Sequence, residues 1–279
     1  MFGVLLAALS SALGELSDSI GKQAVRTKIS SIYTFGFLTA FAMTVVIITI
    51  GIFRHDFIFS LASLPTFIPR LLLEIAQTQI SIMAIVKADR SDFGLIRTLT
   101  VPLLLIVDIN LGYHVTAFQV FGIGCIVFAI AWLFYAEHSN AKGRWLIIAS
   151  ALNAVITISL YKYDISHFNS VEAEQSIISL VLMLYFFIRA TQEKRENPVQ
   201  FFRHPILLVQ AMATGLSSAA GSYAIVFAPA SVVTAALRAS AVLFSLLSGK
   251  FYFQEKKFTL KIEIFCVIAV GLLCLLLTR

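Results

Sequence analysis

Ten stretches of about twenty mostly apolar residues follow one another along this chain with little between them. That spacing constrains the fold more than any motif does. They fall at about 2–23, 32–53, 66–87, 92–110, 115–136, 144–163, 173–191, 205–226, 230–251 and 259–278. A helix of this length spans the hydrocarbon core, and a backbone N–H or C=O left unpaired in lipid costs several kcal/mol, so each stretch is read as a helix. Of 279 residues, 59% are hydrophobic and 13% charged, against about a quarter charged in soluble domains. No water-soluble fold hides that much apolar surface. The fold class expected is an all-α integral membrane protein of about ten transmembrane helices. The start is apolar and lacks a basic stretch, which argues against a cleaved signal peptide. The few residues between windows three and four, four and five, and eight and nine predict antiparallel hairpins.

A shift of about 140 residues then brings the chain into register with itself. Ser11-Ala12-Leu13-Gly14 falls near Ser150-Ala151-Leu152-Asn153, and Lys22 falls on Lys162. Ala84-Ile85-Val86-x-Ala88 falls on Ala224-Ile225-Val226-x-Ala228, Ser91 on Ser231, and Arg97 one residue from Arg238. The nearly constant offset divides the chain into repeats at 1–138 and 139–279. Five helices per repeat is an odd number, so the second half runs inverted relative to the first. Inverted repeats with a central binding site are a common transporter plan.

Charge supplies an orientation. In a ten-span arrangement the face holding both termini carries Arg54, Arg70, Lys162 and Arg279. The other face carries fifteen basic residues, among them Lys22, Arg90, Arg144 and Lys261. The positive-inside rule puts that second face in the cytoplasm and both termini outside. The net charge of +6 is therefore read as topology, and no nucleic-acid partner is expected. Arg97 and Arg238 are left over, inside apolar windows and at opposed depths, as an inverted repeat predicts.

Two stretches resemble the drug/metabolite transporter superfamily in its ten-helix EamA-type form. One is Ala84-Ile85-Val86-Lys87-Ala88 through Arg97-Thr98-Leu99-Thr100-Val101-Pro102-Leu103. The other is Ala228-Pro229-Ala230-Ser231-Val232-Val233-Thr234-Ala235-Ala236-Leu237-Arg238-Ala239-Ser240, leading to Glu255 and a final apolar helix. Halves of that family often carry a Gly-Glu pair between their last two helices. Here Gly112-Tyr113 and Gln254-Glu255 each keep part of it. The resemblance implies transport of a metabolite without naming which. It also implies both termini in the cytoplasm, opposite to the charge count.

Polar residues inside the windows are the candidate site, because charge in a membrane is costly and turns toward a bundle interior or a cavity. Arg70, Glu74, Gln77 and Ser81 share a helical stripe in the third window. Its repeat counterpart holds Gln210, Thr214, Ser217 and Gly221. Glu74 is read either as a substrate contact or proton-coupling carboxylate, or as an i,i+4 partner of Arg70. In the first window Ser11, Glu15, Asp18 and Lys22 share a stripe. Asp18 with Lys22 reads as a structural pair, and Glu15 as the deeper candidate. Its counterpart stripe holds Asn153 and Thr157. Arg97 and Arg238 suit a carboxylate or phosphate of a substrate. Alternatively, each is neutralised by Glu15, Glu74 or backbone carbonyls and serves packing. Arg238 shares its stripe with Ser231, Thr234 and Ser245. Small residues in the eighth window and Gly122 and Gly124 in the fifth read first as close helix packing. Pro102 and Pro229 read as a kink and a helix start. Cys125, Cys266 and Cys274 read as small core residues.

Other chemistries find no support in the sequence. His55, His114, His138, His167 and His204 lie near loops and form no metal-binding pair, and no phosphate-binding glycine loop opens a helix. No cofactor, metal or enzymatic role is expected, and no filter-like loop suggests a channel. The reading is a secondary transporter in the cytoplasmic membrane, monomeric or homodimeric, working by alternating access. Its site is expected among windows 1, 3, 4, 6, 8 and 9. Its solute is expected to be small and charged or zwitterionic, as an amino acid is, with protons as a candidate coupling ion. A lipid or glycolipid flippase, or a membrane assembly subunit, are the alternatives.

Overall fold

The computed structural model describes residues 2–110, 116–136, 141–227 and 230–276. Among them all regular structure is helical. In chain order the helices are α1 (Phe2–Arg26), α2 (Ile32–Arg54), α3 (Leu64–Lys87), α4 (Arg90–Arg97), α5 (Thr100–Asn110), α6 (Ala117–Ala136), α7 (Ala141–His167), α8 (Val171–Lys194), α9 (Pro205–Phe227), α10 (Ala230–Phe251) and α11 (Phe258–Leu276). Short 3-10 turns at Leu61–Ser63 and Pro198–Arg203 precede α3 and α9. Among the described residues six helices are long and apolar enough to cross a membrane: α1, α2, α6, α7, α8 and α11. Large apolar side chains stay on the outside, including Phe53 and Tyr135, both at least 80% exposed. A surface of that kind suits lipid and not water. The chain is a multi-pass helical membrane protein.

The fourth window is broken. α4 ends at Arg97, and α5 begins at Thr100. Pro102 explains the position. It has no N–H to offer the Thr98 carbonyl, and its ring would crowd that carbonyl in a continuous helix, whereas the first turn of a new helix accepts proline. Through the break the backbone tightens to three-residue bonds, from Leu99 N–H to Ile96 O and from Val101 N–H to Thr98 O. Thr98 and Thr100 hydroxyls donate to the carbonyls of Leu95 and Arg97, at 2.6 and 2.9 Å. The backbone oxygens at the break are thereby satisfied without water.

The chain forms two compact units. One comprises Leu16–Val86 and Ile156–Ala219, the other Met1–Glu15, Lys87–Val155 and Ala220–Arg279. Each draws on both sequence halves, and the boundaries fall inside α1, α7 and α9 and at the last residue of α3.

In the first of these, α2 packs along α8, and the pair is antiparallel. Their ends are built alike. Ser31 caps α2 by accepting from Thr34 N–H, and Ser170 caps α8 by accepting from Ala173 N–H. Both helices close on a left-handed residue, His55 at φ 54° and Arg195 at φ 53°. At one end Glu196, just past α8, accepts from the Ser31 N–H and the Thr34 hydroxyl. At the other the strand of backbone just past α2 bonds to Ser170, with Ser170 Oγ donating to Asp56 O at 3.0 Å and Ser170 N–H to Ile58 O at 2.8 Å. Between the ends Gly36 lets α2 approach Phe186, whose ring would lie 2.6 Å from a Cβ there. Phe37, Phe41, Phe187 and Phe202 form one aromatic layer, with centroids 4.8–6.3 Å apart.

In the other unit α6 packs on α11 and α4 on α10. α6 and α11 meet at Gly122 and Gly271. A Cβ on Gly122 would lie 2.7 Å from the Gly271 carbonyl and 3.2 Å from Cys274 Cβ. A Cβ on Gly271 would lie 2.8 Å from the Gly122 carbonyl and 3.2 Å from Cys125 Cβ. The two helices thus present the same Gly-x-x-Cys face to each other, as the close-packing reading of Gly122 expects, whereas a Cβ on Gly124 would meet open space and Cys266 is exposed, so neither is the packed small residue expected of it. α4 and α10 touch at Gly94, where a Cβ would run into the Ser245 hydroxyl and stand 3.3 Å from Val242 Cα. Gly112-Tyr113, His114, His138, Pro229 and Arg279 lie outside the described residues.

Candidate functional site

α4 is only eight residues long, and its N-terminus is where charge gathers. The first N–H groups of a helix have no partner of their own and carry partial positive charge. Asp89 stands at the cap position without a side-chain bond to the helix. Glu255, from the α10–α11 connection, takes that place, accepting from Arg90 N–H at 2.5 Å, from Ser91 N–H at 3.3 Å and from the Ser91 hydroxyl. Gly249 leaves room for it, since a Cβ there would lie 2.6 Å from Glu255 Oε2. Gln254, before it, holds φ at 54°, a left-handed conformation that favours glycine. The Gln254-Glu255 pair thus has a physical reading here. The first position needs the left-handed turn, and the second caps α4.

Around this cap lie three buried cations, each with a carboxylate. Arg90 holds Glu15 of α1 in a two-pronged bond, 2.9 Å from Nε to Oε1 and 2.6 Å from Nη2 to Oε2. Ser248 of α10 donates to the same carboxylate. Arg144 of α7 bonds Asp92 Oδ2 at 2.7 Å. Lys261 of α11 stands 3.0 Å from Asp92 Oδ1, 3.4 Å from Glu255 Oε2 and 2.7 Å from the Ser91 hydroxyl. Arg90, Arg144 and Lys261 are each 1% exposed. Such desolvated pairs hold together where the geometry is close and further hydrogen bonds satisfy the charged groups, as Ser248 and Ser91 do here.

This network corrects the charge count. Lys22, Arg90, Arg144 and Lys261 count toward the cytoplasmic face in the sequence reading, but all are fully buried, as is Arg70 on the opposite face. Each sits within a helix, near the edge of an apolar window. Removing four from fifteen and one from four leaves eleven against three, so the bias persists on a smaller count.

One α-helical turn past Gly94 along α4 is Arg97. One turn back along α10 from Val242 is Arg238. Since Glu255, past the C-terminal end of α10, caps the start of α4, the two helices run antiparallel and bring these positions face to face. The two guanidinium groups lie within electrostatic range of each other. Phe93 is stacked between Arg90 and Arg97, whose guanidinium carbons stand 5.1 and 5.2 Å from its ring centroid. Ser11 of α1 donates to the Leu237 carbonyl at 3.0 Å, which brings α1 beside Arg238. Arg97 and Arg238 are both half-buried. Among the described residues no carboxylate forms an ion pair with Arg238. Glu15, one of the neutralising partners expected for it, is held by Arg90 instead. The side chains of Ser231 and Thr234 lie outside the described residues.

The remaining candidates divide between the units. Asn153 is half-buried in the unit that holds Glu15 and the two arginines. In the other unit Arg70 bonds Glu174 of α8 and stacks 4.4 Å from the Tyr161 ring, with Glu74 within electrostatic range. The ion pair of Arg70 is thus made across to α8, and Asn169 completes it by donating to Glu174 at 3.2 Å. Glu74 is half-buried, and Gln77 is buried and donates to Ser81 at 3.2 Å. Thr157 is buried. Gln210, fully buried, donates to Ser17 at 3.2 Å and to Thr39 at 3.1 Å, and the Thr214 and Ser17 hydroxyls share a hydrogen bond. The polar stripe of α9 thus joins it to α1 and α2, as polar side chains do between helices in lipid.

The fold and these sites define a helical membrane protein with an interior of paired charges. No protein-family model matches the chain, and no curated protein matches it.

Proposed function

We propose that this chain is a secondary transporter, built as ten spans in two inverted five-helix repeats and similar to EamA-type drug/metabolite transporters. It would move a small charged or zwitterionic metabolite across the cytoplasmic membrane by alternating access, without catalysing a reaction. The observation that carries the proposal is the pairing of helices. α2 packs on α8, α4 on α10 and α6 on α11, and in each case the partners are one sequence offset of about 140 residues apart. A twofold axis in the membrane plane reverses helix direction, so a helix lying on that axis meets its own counterpart antiparallel. The matching caps of α2 and α8, with Ser31 facing Glu196 and Ser170 facing the Asp56–Ile58 backbone, have that form. The contact of Gly122 and Gly271 is reciprocal as well, with its two positions 149 residues apart, nine more than the repeat offset. Inverted repeats of this kind give a protein two equivalent arrangements to alternate between. The remaining basic bias favours both termini outside.

The test is flux. Full-length protein in proteoliposomes is expected to take up or exchange labelled amino acids or organic acids, faster than protein-free vesicles. Glu74→Gln and Arg238→Ala are expected to reduce that flux. Absence of flux for all such solutes refutes the proposal, and undiminished flux in both variants removes these residues from the mechanism. A rate unchanged by an imposed pH gradient removes protons as the coupling ion.

A further inference from the structure

We propose that the outer face of α6 holds one anionic phospholipid, with an acyl chain along an aromatic groove and the head group on the lysines of the α10–α11 connection. α6 carries two stripes. Gly122 and Ile126 meet α11 at Gly271, and Ala129, Ile130 and Leu133 are buried with them. On another stripe, at the same helical spacing, Phe128, Ala131, Trp132 and Tyr135 line an open groove of about 350 Å³. Phe128 is 61% exposed, and its ring centroid stands 6.1 Å from that of Trp132. A groove of this size and apolar character takes a hydrocarbon chain.

The groove runs to the end of its helix, and there the chemistry changes. Lys257 donates from Nζ to the carbonyl of Ala136, the last residue of α6, at 2.9 Å. An ammonium group therefore stands just past Tyr135, with two N–H groups still to give. Lys257 holds φ at 57°, a conformation that glycine would take without strain. Lys250 Nζ lies 5.6 Å from the ring of Phe258, the residue after Lys257, and Lys256 is exposed in the same connection. The acids at this end are engaged elsewhere. Glu255 caps α4, and Asp89 and Asp92 face Lys261. Glu263, exposed in the second turn of α11, is left against the three exposed ammonium groups of Lys250, Lys256 and Lys257. Trp145, exposed in α7, stands 6.3 Å from the Phe134 ring, as aromatic side chains do at head-group depth. A phosphodiester of net negative charge suits those ammonium groups. The head group of phosphatidylcholine carries its own cation and gains little from them. The site concerns a lipid that stays bound, and it stands apart from the transport proposal.

Native mass spectrometry of the full-length protein, released from vesicles of equal parts phosphatidylglycerol and phosphatidylcholine, is the direct test. One phosphatidylglycerol is expected to stay bound in preference to phosphatidylcholine. Lys256→Gln together with Lys257→Gln removes two ammonium groups and should cut that preference roughly thirtyfold. If that variant does not fold, tryptophan fluorescence carries the test. The chain has two tryptophans, so Trp145→Phe leaves Trp132 alone in the groove. Brominated phosphatidylglycerol is expected to quench Trp132 saturably at low mole fraction, and brominated phosphatidylcholine only in proportion to its share of the bilayer. Raised salt should bring the two curves together, because the ammonium groups are exposed. Equal retention and superimposed quenching curves overturn the proposal, as does a preference that survives the loss of both lysines. A lipid-free dimer with Trp132 shielded from both brominated lipids also overturns it, because a second copy of the chain then covers the groove. Lipid retention tests this site alone and flux tests transport alone, so each can fail without the other.

Discussion

The Glu15–Arg90 pair gives the strongest quantitative expectation. Arg90 is 1% exposed, and Glu15 gives it both carboxylate oxygens while also accepting from Ser248. Glu15→Gln removes the carboxylate that holds both prongs of this buried guanidinium and turns one amide N–H₂ toward an N–H donor. Breaking a buried pair from one side costs about 3–5 kcal/mol, because the remaining charge stays desolvated. Arg90→Met keeps the apolar stem of the side chain and loses the charge, leaving Glu15 with the Ser248 hydroxyl, and a loss of about 3 kcal/mol is expected. In the double variant neither charge remains, so its cost should fall below the sum of the singles by about 2 kcal/mol or more. Unfolding free energies in mixed detergent–SDS micelles, followed by far-UV circular dichroism, measure all three. Costs that add to within about 0.5 kcal/mol refute the argument, because independent sites behave that way.

Three further outcomes follow from local geometry. Gln254→Gly removes the strain of a left-handed residue and should raise stability by about 1 kcal/mol in the same titration; a loss instead would show that the Gln254 side chain contributes more than its backbone costs. Gly94→Ala forces α4 and α10 apart at Ser245 and should cost about 1–3 kcal/mol, with Ser245→Gly in the same chain restoring most of it; an unaltered midpoint in Gly94→Ala would show that the helices give way there freely. A reporter on the C-terminus that is active only in the cytoplasm is expected to stay silent, as the basic bias requires, and a strong signal reverses the proposed orientation.

Where the helices lie was legible in the sequence, and the reason is elementary. Backbone groups in lipid must be satisfied within their own segment, so the apolar windows and the helices agree closely, α2 at Ile32–Arg54 against 32–53 and α10 at Ala230–Phe251 against 230–251. The break in the fourth window was not read, although Pro102 marked it; a run of apolar residues carries no sign that its hydrogen bonding shifts. The offset that aligned Lys22 with Lys162 also aligns features that spacing alone could not suggest, such as Ser31 with Ser170 and His55 with Arg195. The charge network was the larger omission. Arg90, Asp92, Arg144 and Lys261 sit in the first turns of α4, α7 and α11, at the edges of the apolar windows, where a charge reads as one facing a membrane surface. Their partners are 52 and 75 positions away in sequence for Asp92–Arg144 and Glu15–Arg90. No periodicity reports a contact at that range. The candidates that were named from stripes, such as Gln210 and Thr214, turned out to bind neighbouring helices, because a helical face shows which residues share a side and not what lies opposite.

Arg238 also has an electrical consequence. It is a half-buried charge with no ion pair among the described residues. One elementary charge moved across the full membrane potential is worth about 2.3 kcal/mol per 100 mV. Any rearrangement that shifts Arg238 along the membrane normal is therefore sensitive to voltage, whereas the paired charges around the start of α4 move together with little net charge.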